Sequence, residues 1–276
     1  MHNYLFIRFT IKNMSKKDMI DNNQADLAPS EFFSSNGLKI HYKSYGQGKP
    51  IILIHGWSSN IKGNWVDTKW VEALTPIGRV IALDCRGHGQ SDKPHDQEVY
   101  SYKNMAQDVL NLMDHLNIIK ADIFGYSMGA MIAVYLLGHH SERVRSAILG
   151  GIGDDAQDGH QIADALLVED SSQISNPIAK AFRSFAELDP NNDLKALALI
   201  AHIPESTFMQ VGGAGLGKVK IPVLIINGEK DDLVMNVDEL AATISGAKLV
   251  LIQRRDHLTV IPDRRFKKEI LSFLES

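Results

Sequence analysis

The sequence predicts an α/β fold in which a mostly parallel sheet is flanked by helices. Continuous apolar runs separated by longer helical segments are typical of strands buried on both faces of a parallel sheet. One connecting helix is indicated by apolar residues at three- and four-residue steps, namely Met105, Val109, Leu112, Met113 and Leu116. The predicted strands are Ile51 to Ile54, Val80 to Leu83, Ala121 to Phe124, Ala147 to Leu149, Val223 to Ile226 and Leu249 to Ile252.

An antiparallel hairpin is predicted ahead of the first parallel strand. Residues Glu31 to Tyr45 favour two strands joined at Asn36-Gly37, a dipeptide that tolerates positive φ at both turn positions. The residues before it, 1–30, are rich in Asn, Asp, Lys and Ser and lack periodicity. That composition predicts a disordered N-terminal tail.

The alternation of strands and helices stops between Gly151 and Gly217. This segment favours helices at Ile178 to Leu188 and Leu194 to Ile203, with a glycine-rich return at residues 212–215. Because ligands of open α/β sheets bind beyond the carboxyl ends of the strands, where this segment is anchored, we expect a cap over the site. The predicted division is a core of residues 31–153 and 218–276, interrupted by a helical cap of residues 154–217.

Composition limits the classes of partner and location. The chain has 276 residues, of which 44% are hydrophobic, and a formal net charge of -4. One main domain is expected, and nucleic acid is not, since basic residues are scattered among acidic ones. No apolar stretch reaches the roughly 18 residues that span a bilayer. The single cysteine, Cys85, cannot form an internal disulfide, which favours a reducing cytoplasm.

The strongest chemical signal is Gly125-Tyr126-Ser127-Met128-Gly129, which follows a predicted strand and precedes a helix-compatible segment. In this Gly-x-Ser-x-Gly setting the serine occupies a strained turn and its hydroxyl projects above the sheet edge. A serine hydroxyl is a poor nucleophile at neutral pH, so it needs a nearby base and a group that orients that base. Ser127 is therefore the candidate nucleophile.

His257 and Asp231 are the candidates for base and orienting acid. His257 follows the last predicted strand, and Asp231 follows the strand before it. Asp232 and Asp154 remain alternatives for the acid, because each also follows a strand. Asp256, next to the histidine, is expected to be a solvated loop residue. The order serine, aspartate, histidine along the chain differs from the orders used by serine proteases of other folds.

The backbone N–H groups of Met128 and Trp57 are the candidate oxyanion donors. Acyl transfer needs one donor from the residue after the nucleophile and one from a loop after an earlier strand. Trp57 belongs to His55-Gly56-Trp57, which follows such a strand. No cofactor is expected, because no phosphate-binding glycine motif opens a helix after a strand. No metal is expected either, because no second histidine or acidic residue lies near His55 at the spacing of metal ligands. Residues 82–92 favour a structural turn.

Together these motifs resemble the α/β-hydrolase fold family from about Phe32 to Leu274. The matching segments are His55-Gly56-Trp57, residues 84–91, residues 125–129, Gly228-Glu229-Lys230-Asp231 and His257. The resemblance implies a mostly parallel eight-stranded sheet with the helical cap between strands six and seven. Ser127 is unlike the nucleophilic aspartate of haloalkane dehalogenases and epoxide hydrolases. Asp256 departs from the glycine that many members have before the histidine.

The predicted activity is hydrolysis of a small carboxylic ester or related acyl substrate through an acyl-enzyme. Three alternatives keep the same residues: a perhydrolase or acyltransferase, a carbon-carbon bond hydrolase, and a small-molecule receptor. They differ in the acceptor admitted or in the bond cleaved. The sequence leaves acyl chain length and oligomeric state open.

Overall fold

The structure is a computed structural model that describes residues 28–155, 159–204 and 207–276. Of the tail predicted over residues 1–30, residues 1–27 lie outside the described part of the chain. The strands are β1 (Glu31–Ser35), β2 (Leu38–Tyr45), β3 (Pro50–Ile54), β4 (Arg79–Leu83), β5 (Ala121–Tyr126), β6 (Val144–Gly150), β7 (Asp154–Asp155), β8 (Val223–Gly228), β9 (Val234–Met235) and β10 (Lys248–Ile252).

Eight of these strands form one sheet in the order β1-β2-β4-β3-β5-β6-β8-β10. β2 pairs antiparallel with β1 and with β4, and the other neighbours are parallel. The hairpin turn has positive φ at Asn36 (50°) and Gly37 (84°), as the dipeptide predicts. The prediction of an eight-stranded, mostly parallel sheet is confirmed.

The helices flank the sheet and follow most of the parallel strands. They are α1 (Trp70–Leu74), α2 (Tyr102–His115), α3 (Met128–His139), α4 (Gly159–Leu167), α5 (Pro177–Ala186), α6 (Leu194–Ala201), α7 (Phe208–Gly212), α8 (Val237–Thr243) and α9 (Arg264–Glu275). Helix α2 begins where the Ser101 hydroxyl accepts a hydrogen bond from the Asn104 N–H. Its predicted apolar stripe is buried from Met105 to Met113. Among the described residues, no helix is long and apolar enough to cross a membrane.

Apolar side chains fill both faces of the sheet. On one face, α2 and α3 cover Ile123 and its neighbours, and on the other face Phe124 lies at the centre of an aromatic group. The ring centroid of Phe124 is 4.9 Å from those of Trp65 and Trp70, and Phe266 of α9 packs beside them. Because both faces are covered, the polar chemistry is confined to the strand ends.

Helices α4 to α7 belong to the segment between β6 and β8, residues 154–217, which we call the insert. The insert contacts α3 through backbone. A Cβ added at Gly138 would lie 2.0 Å from the Gly212 oxygen, and one added at Gly215 would lie 1.8 Å from the Gly138 oxygen. Only glycine allows the two segments to approach so closely.

The insert differs in detail from the sequence expectation, because it contains a strand and two further helices, α4 and α7. β7 pairs antiparallel with β9, and α4 precedes the two helices that the sequence indicates. Asp154 on β7 accepts hydrogen bonds from the Phe208 N–H (3.1 Å) and from Asn236 Nδ2 (2.8 Å). This carboxylate therefore ties the insert to the loop after β8.

Candidate active site

Ser127 occupies a sharp turn between β5 and α3. Its φ of 54° and ψ of -119° are unfavourable for a residue with a Cβ. The strain is maintained by packing, since a Cβ at Gly125 would lie 2.2 Å from the Gly129 oxygen and a Cβ at Gly129 would lie 2.0 Å from the Ile54 oxygen. The two flanking glycines let β5, α3 and β3 meet behind the serine. The hydroxyl is thereby presented at the carboxyl end of the sheet.

The structure brings Ser127, His257 and Asp231 together in one hydrogen-bonded chain. His257 Nε2 is 3.0 Å from Ser127 Oγ, and His257 Nδ1 is 2.7 Å from Asp231 Oδ2. An ionised carboxylate can only accept, so Nδ1 carries the proton and Nε2 accepts from the serine hydroxyl. The Asp231 side chain is only 1% exposed and the His257 side chain 13%. This is the arrangement that makes a serine hydroxyl nucleophilic.

The two alternative acids lie elsewhere. Asp232 is exposed at the surface next to Asp231. Both oxygens of Asp154 accept hydrogen bonds from groups on the insert and on the loop after β8, as described above. Of the three candidate acids, the structure therefore brings Asp231 to His257.

The turn that presents His257 is organised by its neighbour. Asp256 Oδ1 accepts from the Leu258 N–H (3.0 Å), the Thr259 N–H (2.8 Å) and Thr259 Oγ1 (2.8 Å). Asp256 lies in a loop and is partly exposed, as expected, and its carboxylate also caps the turn. On the other side, the Tyr126 hydroxyl donates to the His257 carbonyl. Tyr126 and Asp256 together hold the backbone of the candidate base.

The loop after β3 packs directly against the serine. A Cβ added at Gly56 would lie 3.3 Å from Ser127 Cβ, so a side chain at this position would crowd the serine. The next residue is Trp57, whose N–H has no hydrogen-bond partner among residues 28–155, 159–204 and 207–276. Met128 is the first residue of α3, and N–H groups of the first helical turn lack an intrahelical partner. The assignment of both N–H groups to an oxyanion hole stays a prediction.

Two buried histidines hold the backbone of this loop. His55 Nδ1 donates to the Gly56 oxygen (2.8 Å), and its Nε2 accepts from the Cys85 N–H (3.0 Å). His88 Nδ1 donates to the Arg86 oxygen (3.1 Å), and its Nε2 accepts from the Ser58 N–H (3.1 Å). Each ring uses its unprotonated Nε2 as an acceptor, so each imidazole must stay neutral. Burial lowers the pKa of His55, and burial with the nearby His55 lowers the pKa of His88 to about 3.

Residues 82–92 form the structural turn that the sequence favours. Asp84 lies at its centre: Oδ1 accepts from the Ile61 N–H, and Oδ2 accepts from His41 Nδ1 and the Gln90 N–H, each at 2.8 Å. A Cβ at Gly89 would lie 2.1 Å from Asp84 Oδ2, so the turn closes tightly around this carboxylate. Asp84 thus links the hairpin, the site loop and the turn after β4.

Because buried histidines are held neutral in the folded protein, we predict that its free energy of unfolding falls in mild acid. Unfolded histidine has a pKa of about 6.5, so between pH 6.5 and 3 the unfolded chain binds a proton that folded His88 excludes. The free energy of unfolding should fall by roughly 1.4 kcal/mol per pH unit for such a histidine. Urea unfolding at pH 6 and pH 4.5 measures this slope. His88→Asn should reduce the slope by one proton, and a slope equal to that of the wild type would contradict the prediction.

The insert contacts the same loop from the outside. Trp57 Nε1 donates to the Leu197 oxygen of α6 (3.2 Å), and the indole lies 5.7 Å from the ring of Phe182 of α5. Asn192 Nδ2 donates to Ser58 Oγ at 3.1 Å. The residue that is the candidate oxyanion donor is therefore also a principal contact of the insert.

No residue set suited to a metal was found in the described part of the chain, where three or more His, Cys, Asp or Glu side chains nowhere cluster as ligands. Cys85 is buried beside the site loop, and burial raises the pKa of its thiol well above the ordinary value. A thiol that stays protonated is a poor nucleophile. Cys85 is therefore not a candidate nucleophile.

Comparison with known proteins gives relatives that share this fold. A model of the alpha/beta hydrolase fold matches residues 49–183. The chain is 29% identical over 272 residues to non-heme chloroperoxidase CPO-A1 of Kitasatospora aureofaciens, with 87% of this chain and 97% of the relative covered.

Solved structures agree over most of the chain. A hydrolase from Pseudomonas aeruginosa PA01 superposes with a TM-score of 0.74 at 25% identity, covering 91% of this chain and 100% of its own. An esterase from Exiguobacterium antarcticum gives a TM-score of 0.71 at 25% identity, covering 90% and 100%. With the sheet order and the Gly-x-Ser-x-Gly turn, these similarities identify the chain as an enzyme with the α/β-hydrolase fold.

Proposed function

We propose that the protein is a serine hydrolase that cleaves a small carboxylic ester or related acyl substrate through an acyl-enzyme. The observation that carries the proposal is the continuous hydrogen-bonded chain from Ser127 Oγ through His257 to Asp231, with steps of 3.0 and 2.7 Å. Nucleophile, base and orienting acid in contact are what acyl transfer requires. Similarity to an esterase over 90% of the chain supports the same activity.

In the proposed mechanism, His257 Nε2 accepts the Ser127 proton while Oγ attacks the acyl carbonyl. The negative charge that develops on the carbonyl oxygen is held by the N–H groups of Trp57 and Met128. Asp231 stabilises the imidazolium without taking its proton. His257 then protonates the leaving alkoxide, which departs as alcohol and leaves the acyl group on Ser127. Water, activated by the same histidine, releases the acid and restores the hydroxyl.

We propose that the insert, residues 154–217, is the cap that shapes the acyl pocket. Its helices α5 and α6 contact Trp57, which adjoins the point where the substrate carbonyl would lie. The facing aromatic rings of Trp57 and Phe182 offer apolar surface to an acyl or alkoxy group. The same rings restrict the room beside the oxyanion position, which supports a small substrate.

The proposal is tested by combining turnover with covalent trapping. We expect sustained release of p-nitrophenol from p-nitrophenyl acetate or butyrate, and inactivation by a p-nitrophenyl alkylphosphonate with one adduct on the peptide that contains Ser127. Intact mass and peptide mapping report the adduct, and enzyme trapped before addition of the ester is the control. A single stoichiometric burst, or no release, would favour a receptor or a carbon-carbon bond hydrolase, and a phosphonate adduct elsewhere would contradict the role of Ser127.

One comparison supports a second candidate activity, in which hydrogen peroxide rather than water accepts the acyl group. The relative that aligns over 97% of its length is named a non-heme chloroperoxidase. If hydrogen peroxide replaces water in deacylation, the same acyl-enzyme releases a peracid and the triad needs no other change. Adding hydrogen peroxide to the ester assay and measuring peracid against acid separates the two. Peracid as the main product would make perhydrolysis the better description.

We also propose a cytoplasmic location. The single cysteine supports it, since secreted proteins more often carry paired cysteines. Fractionation of the native host with an antibody against the protein tests the location, and recovery from a secreted fraction would contradict it.

A further inference from the structure

Asn64 is a buried polar residue beside the site loop with no place in the mechanism above. It lies in the middle of a short π-helical segment, Lys62–Val66, and is 4% exposed. Its Oδ1 accepts a hydrogen bond from the Gly56 N–H at 3.0 Å. Its Nδ2 is buried and finds no hydrogen-bond partner among the described residues. Leaving a buried donor unpaired costs about 1–3 kcal/mol, so stability alone does not explain an asparagine here.

Two hydrogen-bond donors restrain the carbonyl end of the Gly56–Trp57 peptide. The Gly56 oxygen accepts from His55 Nδ1 (2.8 Å) and from the Ser59 N–H (3.2 Å). In a trans peptide the N–H points opposite to the preceding carbonyl, and the described residues contain no cis peptide. Fixing the Gly56 oxygen therefore directs the Trp57 N–H the opposite way within the peptide plane.

Asn64 supplies the restraint that the carbonyl cannot. Glycine rotates freely about φ and ψ, so holding its oxygen alone leaves the rest of residue 56 able to shift. The bond from the Gly56 N–H to Asn64 Oδ1 fixes the other end of the residue. Because a Cβ at Gly56 would lie 3.3 Å from Ser127 Cβ, a shift of this residue moves the loop relative to the nucleophile.

We propose that Asn64 is a positioning residue of the oxyanion hole, which holds Gly56 so that the Trp57 N–H stays aimed at the oxygen of the tetrahedral intermediate on Ser127. The inference rests on the proposed function, because it assigns a role within that reaction. Asn64 itself does not contact the substrate. Asn64 lies in a π-helical segment, and such segments recur at functional sites.

Asn64→Leu keeps the volume and removes the acceptor. We expect kcat for the ester to fall about 10- to 100-fold, less than the roughly 10²- to 10³-fold loss for removing a donor outright. KM should change by less than about threefold, since the oxyanion contact forms mainly in the transition state. A trifluoromethyl ketone, which adds to Ser127 as a hemiketal oxyanion, should lose affinity by the same factor as kcat/KM.

Thr68→Val is the matched control. Thr68 Oγ1 donates to the Asn64 backbone oxygen at 2.5 Å, so this variant disturbs the same segment without touching the bond to Gly56. We expect it to lower the melting temperature while leaving kcat and ketone affinity within about twofold of the wild type. A purely structural role for Asn64 would give both variants the same kinetic phenotype.

The decisive measurements are kcat, KM and ketone affinity for the wild type, Asn64→Leu and Thr68→Val, with melting temperatures beside them. If Asn64→Leu does not fold, Asn64→Ala takes its place. An active wild type with kcat and ketone affinity unchanged in the Asn64 variant would overturn this inference alone. A wild type with neither turnover nor a phosphonate adduct would overturn the proposed function and this inference with it.

Discussion

Replacing Ser127 with alanine is expected to lower kcat for ester hydrolysis on the order of 10⁶-fold, because the triad acts as a unit and no other oxygen takes the place of Oγ. His257 Nε2 then has no hydroxyl to deprotonate at 3.0 Å. Substrate binding should persist, since the N–H donors and the pocket are unchanged. Single-turnover and steady-state release of p-nitrophenol measure the loss.

Ser146→Ala is a suitable control for this substitution. Ser146 is buried on the neighbouring strand β6, and its hydroxyl donates to Asp122 Oδ1 away from the site. It should leave kcat within about threefold, because surrounding packing is kept. A loss of less than about tenfold in Ser127→Ala would exclude Ser127 as the nucleophile.

Asp231→Asn is expected to lower kcat about 10⁴-fold, as in triads where the acid sets the tautomer of the histidine. The asparagine amide would donate to Nδ1 and leave the proton on Nε2, which then cannot accept from Ser127. The neighbouring residue provides a matched control for this substitution. Asp232→Asn, one residue away and exposed, should leave kcat within about twofold.

Asp154→Asn completes the comparison of the three carboxylates. Asp154 joins the insert to the loop after β8, so its loss should lower the melting temperature more than it lowers kcat. Steady-state kinetics on all three variants, with thermal unfolding, checks the ranking. Asp154→Asn with the largest kcat loss would contradict the assignment of Asp231 as the orienting acid.

The sheet was largely predictable because its signals are local. Each parallel strand coincides with an apolar run, and Asn36-Gly37 favours the hairpin turn that the structure has. Strand β7 was not predictable, since two residues carry no periodicity and Asp154 pairs with a partner about 80 positions away. Pairings of this kind depend on tertiary contacts that no local pattern encodes.

The three residues that the structure joins at the site were also predictable, because each follows a strand whose end faces the same edge of the sheet. The residues that support the site from neighbouring loops were not predictable from the sequence. His55 is informative in sequence only as a possible ligand, yet its ring joins two loops that are 30 residues apart. Asn64 has no sequence signal, since the bond that it forms with Gly56 depends on the folded loop. The capping role of Asp256 was not predictable either, because a carboxylate that caps a turn looks in sequence like any other loop acid.

The glycine contact between α3 and the insert limits how this enzyme can be re-engineered. Exchanging whole inserts between relatives is an obvious route to new specificity. Here the donor segment would have to bring glycine at the position of Gly215, because a Cβ there would lie 1.8 Å from the Gly138 oxygen. A chimaera lacking this glycine would push on Gly138 in the last turn of α3, the helix whose first turn follows Ser127. A graft chosen for its pocket alone would thus misalign the nucleophile.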